Sequence, residues 1–482
     1  MKNTVLTAAL AAAFVTPVSA SAADDKELAA IREQIREMKQ SYEARLQALE
    51  QRLQEAQAAV AQAQNSALEA QRTQAAPAAA PSAAVAATAT VPSATTAPPA
   101  PAAAAPALAN ASNVFNPNIS LVLGGTYSNL SEDPETYRIG GFMPPDGHVG
   151  PGERSFNLGA SELTMSANID PTFAGQATFA VDGDHGIEVE EAYVRTRGLG
   201  NGLNVKAGRF LSSIGYLNSR HTHTWDFADA PLAYQAFFGG HYIQDGVQAR
   251  WLAPTDTFFE IGAELGSGRG FPGNDRNKNG VGASALFAHA GGDIGTSSSW
   301  RAGLSHLRTR AVDREFEDGD LAAAFSGRSR IWVADAVYKW APNGNPTQRN
   351  LTLQGEYMHR EESGSLAAAD ASDAFRSRQS GWYLQGVYQF MPNWRAGLRY
   401  DRLSSGTPAI GLIDSGVLDA DALPSLASYD PKRASVMLDY SPSEFSRLRL
   451  QIARDKSRPG VSDNQVYLQY IMSLGAHGAH AF

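Results

Sequence analysis

From Asn118 to Leu474 the chain repeats one pattern, a stretch of about ten residues in which apolar and polar side chains alternate, followed by a turn. Sixteen such stretches are read as strand cores: 118–127, 155–169, 172–181, 188–197, 203–213, 245–253, 257–266, 280–290, 300–309, 328–340, 348–361, 378–390, 394–404, 432–441, 445–455 and 464–474. The connections after odd-numbered strands are mostly long: 128–154, 182–187, 214–244, 267–279, 310–327, 362–377, 405–431 and 456–463. Those after even-numbered strands are short: 170–171, 198–202, 254–256, the stretch at Gly291, 341–347, 391–393 and 442–444. One apolar face per strand, with loops long at one end and short at the other, is how an antiparallel barrel crosses an outer membrane. Only a closed sheet satisfies every strand's backbone groups there. The predicted fold is therefore an all-β transmembrane barrel of about sixteen antiparallel strands, with both ends on the short-turn, periplasmic side.

The faces agree with this reading. Trp332, Ala334, Ala336, Tyr338 and Trp340 share one side of their strand, and Asp335 and Lys339 the other. Trp382, Leu384, Tyr388 and Phe390 oppose Gln385 and Gln389; Val466, Leu468, Tyr470, Met472 and Leu474 oppose Gln465 and Gln469. Aromatic residues gather near strand ends, as interfacial girdles do.

Ahead of the barrel the pattern changes three times. Residues 1–22 have the Lys2 charge, a short apolar run and the small Ala20-Ser21-Ala22 of a secretory signal peptide. Over 23–64, Leu28, Ile31, Ile35, Met38 and Tyr42 follow 3–4 spacing, and Leu46, Leu49, Leu53, Ala56 and Val60 resume it after a one-residue slip. That is a coiled-coil helix with a stutter, which needs partner helices to bury its seam, and a homotrimer is expected. Residues 65–112 form an Ala/Pro-rich linker, too interrupted by proline for helix and too poor in large apolar residues for a core; it is read as a disordered tether, within reach of peptidoglycan. The barrel domain takes 113–482.

Composition adds exclusions. A chain of 482 residues with 43% hydrophobic residues and net charge −9 resembles a soluble protein, because in a barrel only every second strand residue faces lipid. The acidity, and the lack of a basic stripe, argue against nucleic acid as a partner. The absence of cysteine suits an oxidising periplasm. No nucleophile constellation or phosphate loop is found, so an enzyme is not expected. The expected partner is outer-membrane lipid.

Candidate chemistry lies on the inward face and in one loop. Lys206, Arg250, Glu260, Glu264, Asp335, Glu356, Arg395, Arg399, Asp401, Arg447 and Arg449 are expected to line a water-filled pore and set its ionic selectivity. The long stretch 215–232 has more aromatic and apolar residues than a solvated loop wants, so it is expected to fold inward. Its His221, His223, Asp226 and Asp229 are candidate ligands for Zn²⁺ or another divalent ion, as are His477 and His480 in the tail. No resident cofactor is expected beyond such transient metal binding.

The run Gly208-Arg209-Phe210-Leu211, then Gly215-Tyr216-Leu217-Asn218 and His221-Thr222-His223-Thr224-Trp225-Asp226-Phe227, resembles a proteobacterial outer-membrane β-barrel family. So do Pro151-Gly152-Glu153-Arg154 and the stretch from Gln469 to His480. Members of that family are often labelled zinc-regulated TonB-dependent outer-membrane receptors. More distantly, the coiled coil, tether and barrel look like phosphate- or carbohydrate-selective trimeric porins. The receptor label implies 22 strands around a plug domain, whereas about 365 residues suit sixteen strands. The sequence therefore points to a porin-like channel for small hydrophilic solutes, with divalent metal uptake as the solute the resemblance suggests. The alternatives are a TonB-dependent-type metal receptor of atypical form, or an envelope-tethering barrel.

Overall fold

The computed structural model describes residues 117–145, 149–182, 186–319 and 321–475. The expected signal peptide, coiled coil and tether, and His477 and His480, lie outside the described residues. Alternating side chains and turn residues such as Asp170-Pro171 and Asn393 produce strands joined to their sequence neighbours. They are β1 (Asn118–Leu130), β2 (Ser155–Leu158), β3 (Ser161–Asn168), β4 (Phe173–Asp182), β5 (Gly186–Thr196) and β6 (Leu203–Leu211). Next come β7 (Ile243–Leu252), β8 (Phe258–Gly266), β9 (Ala283–Ile294), β10 (Ser298–Asp318), β11 (Leu321–Trp340) and β12 (Asn350–Ala368). The set ends with β13 (Ala371–Met391), β14 (Trp394–Ser404), the two-residue β15 (Ala409–Ile410), β16 (Lys432–Ser443), β17 (Ser446–Lys456) and β18 (Asp463–Gly475).

Every pairing is antiparallel, and β1 closes on β18 from Ser120 opposite Gly475 to Leu130 opposite Gln465. β2 and β3 are two halves of one crossing, both paired with β1. With those merged and the short β15 set aside, the barrel has sixteen strands, as the periodicity predicts. No described helix is long and apolar enough to cross a membrane; the crossings are strands.

The outer surface is apolar where a soluble protein would be polar. Leu286 is 62% exposed and Leu398 65%, and Leu304, Leu384, Val436, Ile452 and Leu468 join them on the outer face. Trp332, Tyr357, Trp382 and Tyr400 mark one rim of this band, and Tyr388, Trp394, Tyr440 and Phe445 the other. From Trp382 to Met391 is roughly 30 Å of strand, or about 25 Å of thickness once tilted, the height of a lipid-facing band. Beyond the upper rim the outward residues become charged: Arg330 and Arg378 both pair with Glu361.

Two connections differ from expectation. The stretches 310–327 and 362–377 are not loops; they continue β10 to β13, which run 21, 20, 19 and 21 residues. Above the rim both faces of a strand meet solvent or covering loops, so the apolar alternation that marks a lipid-facing strand is lost. These extensions have their own core, in which Phe316, Phe325, Leu366 and Phe375 pack with Met143, Ile410, Leu412, Leu423 and Leu426. The 22 strands and separate plug implied by the receptor label are not found among the described residues; the lumen is partly filled by the chain's own 212–242 segment.

Candidate channel constriction

The segment between β6 and β7 folds into the barrel. Ile214, Tyr216, Leu217, Trp225 and Phe227 are buried, as is every residue of a short helix, α1 (Leu232–Phe238). Apart from Gln235, whose amide is hydrogen-bonded to Tyr137 and the Ala230 carbonyl, that helix carries apolar and aromatic residues all round, as suits one buried on all sides. It starts after Pro231, where Asp401 accepts the Leu232 N–H at 3.0 Å, and stops at Gly239, whose left-handed φ of 68° lets the last carbonyls be satisfied. Around it Phe142, Leu307, Ile331, Val333, Met358, Tyr383 and Leu403 complete an apolar core inside the barrel.

The base of the segment is knotted by Asn218. Its side-chain amide donates to the Ser212 and Tyr242 carbonyls at 2.8 and 2.9 Å, and its oxygen accepts the Tyr242 N–H at 2.7 Å. Glu356 then receives the backbone N–H groups of Tyr216 and Leu217 and the hydroxyls of Tyr234 and Tyr383. Gly215 is required beside it: φ is +65° and a Cβ there would lie 2.3 Å from the Glu356 carboxylate.

An arginine wall on β14, β16 and β17 grips one flank. Arg447 donates to the His223 carbonyl at 2.6 Å, Arg449 to Trp225 at 2.9 Å, Arg399 to Asp229 at 2.8 Å, and Arg433 to Ala230. Asp229 also pairs with Arg399 at 2.6 Å and Arg433 at 2.7 Å, and Asp226 with Arg395 at 3.0 Å. Burial pushes the Asp229 carboxyl up, but Arg399 and Arg433 overcome it and hold its pKa at about 2.

The opposite flank meets glutamates on β3 and β5. His221 Nδ1 lies 3.1 Å from Glu162 and 2.9 Å from Glu190, its Nε2 lies 3.3 Å from Glu191, and His223 Nδ1 lies 3.0 Å from Glu162. The two imidazoles stack with centroids 5.8 Å apart. Burial depresses the His221 pKa, yet the carboxylates of Glu162, Glu190 and Glu191 around the ring outweigh it, so the pKa sits well above the ordinary 6.5. Glu190 and Glu191 are adjacent, and strand neighbours normally point to opposite faces. A bulge resolves this: Thr178 pairs with Glu191 and Phe179 with Val189, leaving Glu190 as the extra residue whose side chain is re-aimed.

The expected metal ligands therefore separate. His221 and His223 meet the glutamates, whereas Asp226 and Asp229 are held by arginines and share no centre with them. Sequence reasoning missed Glu162, Glu190, Glu191, Arg433 and Asp439; the one available signal was the Glu188-Val189-Glu190-Glu191 break in strict alternation. The expected pore-lining charges also divide. Lys206, Arg250 and Glu260 face a cavity of about 780 Å³, and Arg395 and Arg447 a second of about 410 Å³. Both run from short-turn residues, Asp256 and Asp293 in one and Ser443 and Phe445 in the other, up to the inward segment. The rest are buried: Glu264, Glu356, Arg399, Asp401 and Arg449 anchor or cap the segment or its arginines, and Asp335 lies 3.9 Å from Arg301.

No family model matches the chain. Among solved structures, similar folds include a loop-deletion mutant of OmpT, an outer membrane protein of Vibrio cholerae (TM-score 0.47, 12% identity, 74% of this chain, 99% of that one). Others are Pseudomonas putida OprB at high pH (0.47, 15%, 74% and 94%) and the outer membrane channel DcaP of Acinetobacter baumannii (0.46, 13%, 74% and 97%). Scores this low carry no argument, and the strand count and closure rest on this chain's own hydrogen-bond ladder. An uncharacterized protein of Aquifex aeolicus (strain VF5) is 33% identical over 397 residues, 77% of this chain and 81% of the relative. Identity at that level over that length shows that the chain belongs to the same family as the Aquifex aeolicus protein.

Proposed function

We propose that the chain is an outer-membrane, porin-like channel for small hydrophilic solutes, passive and non-catalytic, whose inward 212–242 segment sets its conductance. The observation that carries this is the closed sixteen-strand barrel with an apolar belt outside and cavities bordered by charged side chains inside. A barrel of this size has an interior wider than its own wall side chains can fill. Here the chain folds one connection into that space and leaves part of it open. The bordering charges of both signs, Lys206, Arg250 and Glu260 in one cavity and Arg395 and Arg447 in the other, favour polar solutes over apolar ones.

A homotrimer and periplasmic placement of the coiled coil are part of the proposal, and so is divalent metal as a solute. Planar-bilayer recording tests it: ohmic conductance in steps of three is expected. A barrel that never conducts overturns the channel, and single steps overturn the trimer. Zinc that leaves ion selectivity unchanged overturns metal as the solute. Envelope defects after deletion of 24–111, with conductance kept, would favour the tethering role instead.

A further inference from the structure

We propose that Glu162, Glu190 and His221 form a divalent-cation site that fastens the inward segment to the barrel wall. This rests on the channel reading only for what the fastening controls. The three residues offer one ligand atom each, all within 4.8 Å of one another. A cation bonded at about 2.1 Å sets its ligands about 3.0 Å apart in octahedral and 3.4 Å apart in tetrahedral geometry. The distances from His221 Nδ1 to Glu162 Oε2 and Glu190 Oε2, 3.1 and 2.9 Å, sit at that edge length.

Hydrogen bonding alone does not account for the cluster. One N–H at His221 Nδ1 faces two carboxylate oxygens and is directed at Glu190. Glu162 Oε2 is left buried 3.1 Å from that nitrogen, with no N–H or O–H of a described residue directed at it. A buried carboxylate oxygen in that position is costly unless a cation meets it. With His221 neutral, Glu162 and Glu190 bring two negative charges, which one divalent ion neutralises.

The surroundings are those of a prepared ligand set. Glu191 lies 3.3 Å from the far nitrogen, Nε2, and also accepts the Leu211 N–H at 3.1 Å, so it is itself fixed. A carboxylate on the far nitrogen keeps the proton there and turns Nδ1 toward the ion. His223 steadies the other oxygen of Glu162 from 3.0 Å. The bulge at Glu190 is what brings both β5 carboxylates to one histidine. Three protein ligands leave a coordination position open, and His221 and Glu191 border the 780 Å³ cavity through which an ion and its water would arrive. A mixed nitrogen and oxygen set suits zinc, cobalt or manganese better than calcium.

The test uses the full chain, stripped with a chelator and held in detergent, with equilibrium dialysis against Zn²⁺ and absorption spectra with Co²⁺. The expected result is one saturable ion per chain, with binding weakened at least tenfold in Glu162→Gln, in Glu190→Gln and in His221→Gln, and about tenfold in Glu191→Gln. His477→Ala with His480→Ala should retain it. Heat-modifiable gel migration confirms that each variant is folded; Glu190→Gln is the safest, because its carboxylate is the extra residue of a bulge. Amide exchange over 218–224 should slow on adding the ion. Absence of a saturable ion, or equal binding in folded Glu190→Gln and His221→Gln, overturns the site, and unchanged exchange overturns the fastening. Conductance is recorded separately: a chelated protein that conducts keeps the channel reading when the site fails, and a non-conducting protein that binds keeps the site when the channel fails.

Discussion

The two flanks of the inward segment are built from opposite charges and behave as different kinds of fastener. On the arginine flank, Arg395, Arg399, Arg433 and Arg449 are matched by Asp226, Asp229, Asp401, Asp439 and Asp455, and guanidinium groups also reach backbone carbonyls. Guanidinium does not titrate in any working range, and its planar fork satisfies two oxygens at once. That flank is permanent. On the glutamate flank, Glu162, Glu190 and Glu191 outnumber the two histidines that meet them, so the buried carboxylates need a cation beside them. That flank is conditional, holding only when a cation, a proton or a metal ion, sits between wall and segment.

The largest effect in that comparison should come from Arg433→Met. It leaves buried Asp455 without its ion pair and Asp229 and Asp401 with Arg399 alone, at a cost of about 3–5 kcal/mol, read as a lower urea midpoint and a higher single-channel conductance. Acid should reach the same flank chemically. The Asp229 pKa is lowered from 3.8 to about 2, so its stabilisation is complete above the unfolded value and lost as pH falls through about 2. The amount is about 2 kcal/mol, and conductance between pH 5 and 2 should rise in the wild type but be flattened in Asp229→Asn. Gly215→Ala, clashing with Glu356 at a positive φ, should cost about 1–3 kcal/mol and loosen the segment's base, seen as faster exchange at 216–218. Chelation at neutral pH should speed exchange over 218–224 severalfold while leaving 226–233 unchanged. The smallest effect belongs to Arg378→Ala: its side chain is 82% exposed, and loss of its pair with Glu361 should change stability by less than about 0.5 kcal/mol.

The barrel was legible because period-2 alternation is a local signal that lipid enforces on every crossing strand. It stopped being legible where lipid stops: Arg328, Arg330, Arg376 and Arg378 point outward above the rim, so 310–327 and 362–377 read as loops although they are strands. The inward segment was legible from its surplus of Tyr216, Leu217, Trp225 and Phe227. Its partners were not, because Glu162 and Glu190 are 28 residues apart in sequence and come together only through barrel closure and a bulge. Asp226 and Asp229 looked like ligands by proximity to His221, but the segment turns between them and delivers them to the other wall.

The raised strands β10 to β13 also have a mechanical consequence. From Trp382 to Ala371 the ladder continues for roughly 35 Å past the lipid boundary, ending in the two-residue turn Ala369-Asp370, both at positive φ. Hydrogen-bonded sheet of that length is a stiff mast, so its tip keeps a nearly constant height above the bilayer. A short epitope or fluorophore inserted at that turn would report distance from the cell surface as a ruler does, without disturbing the lumen.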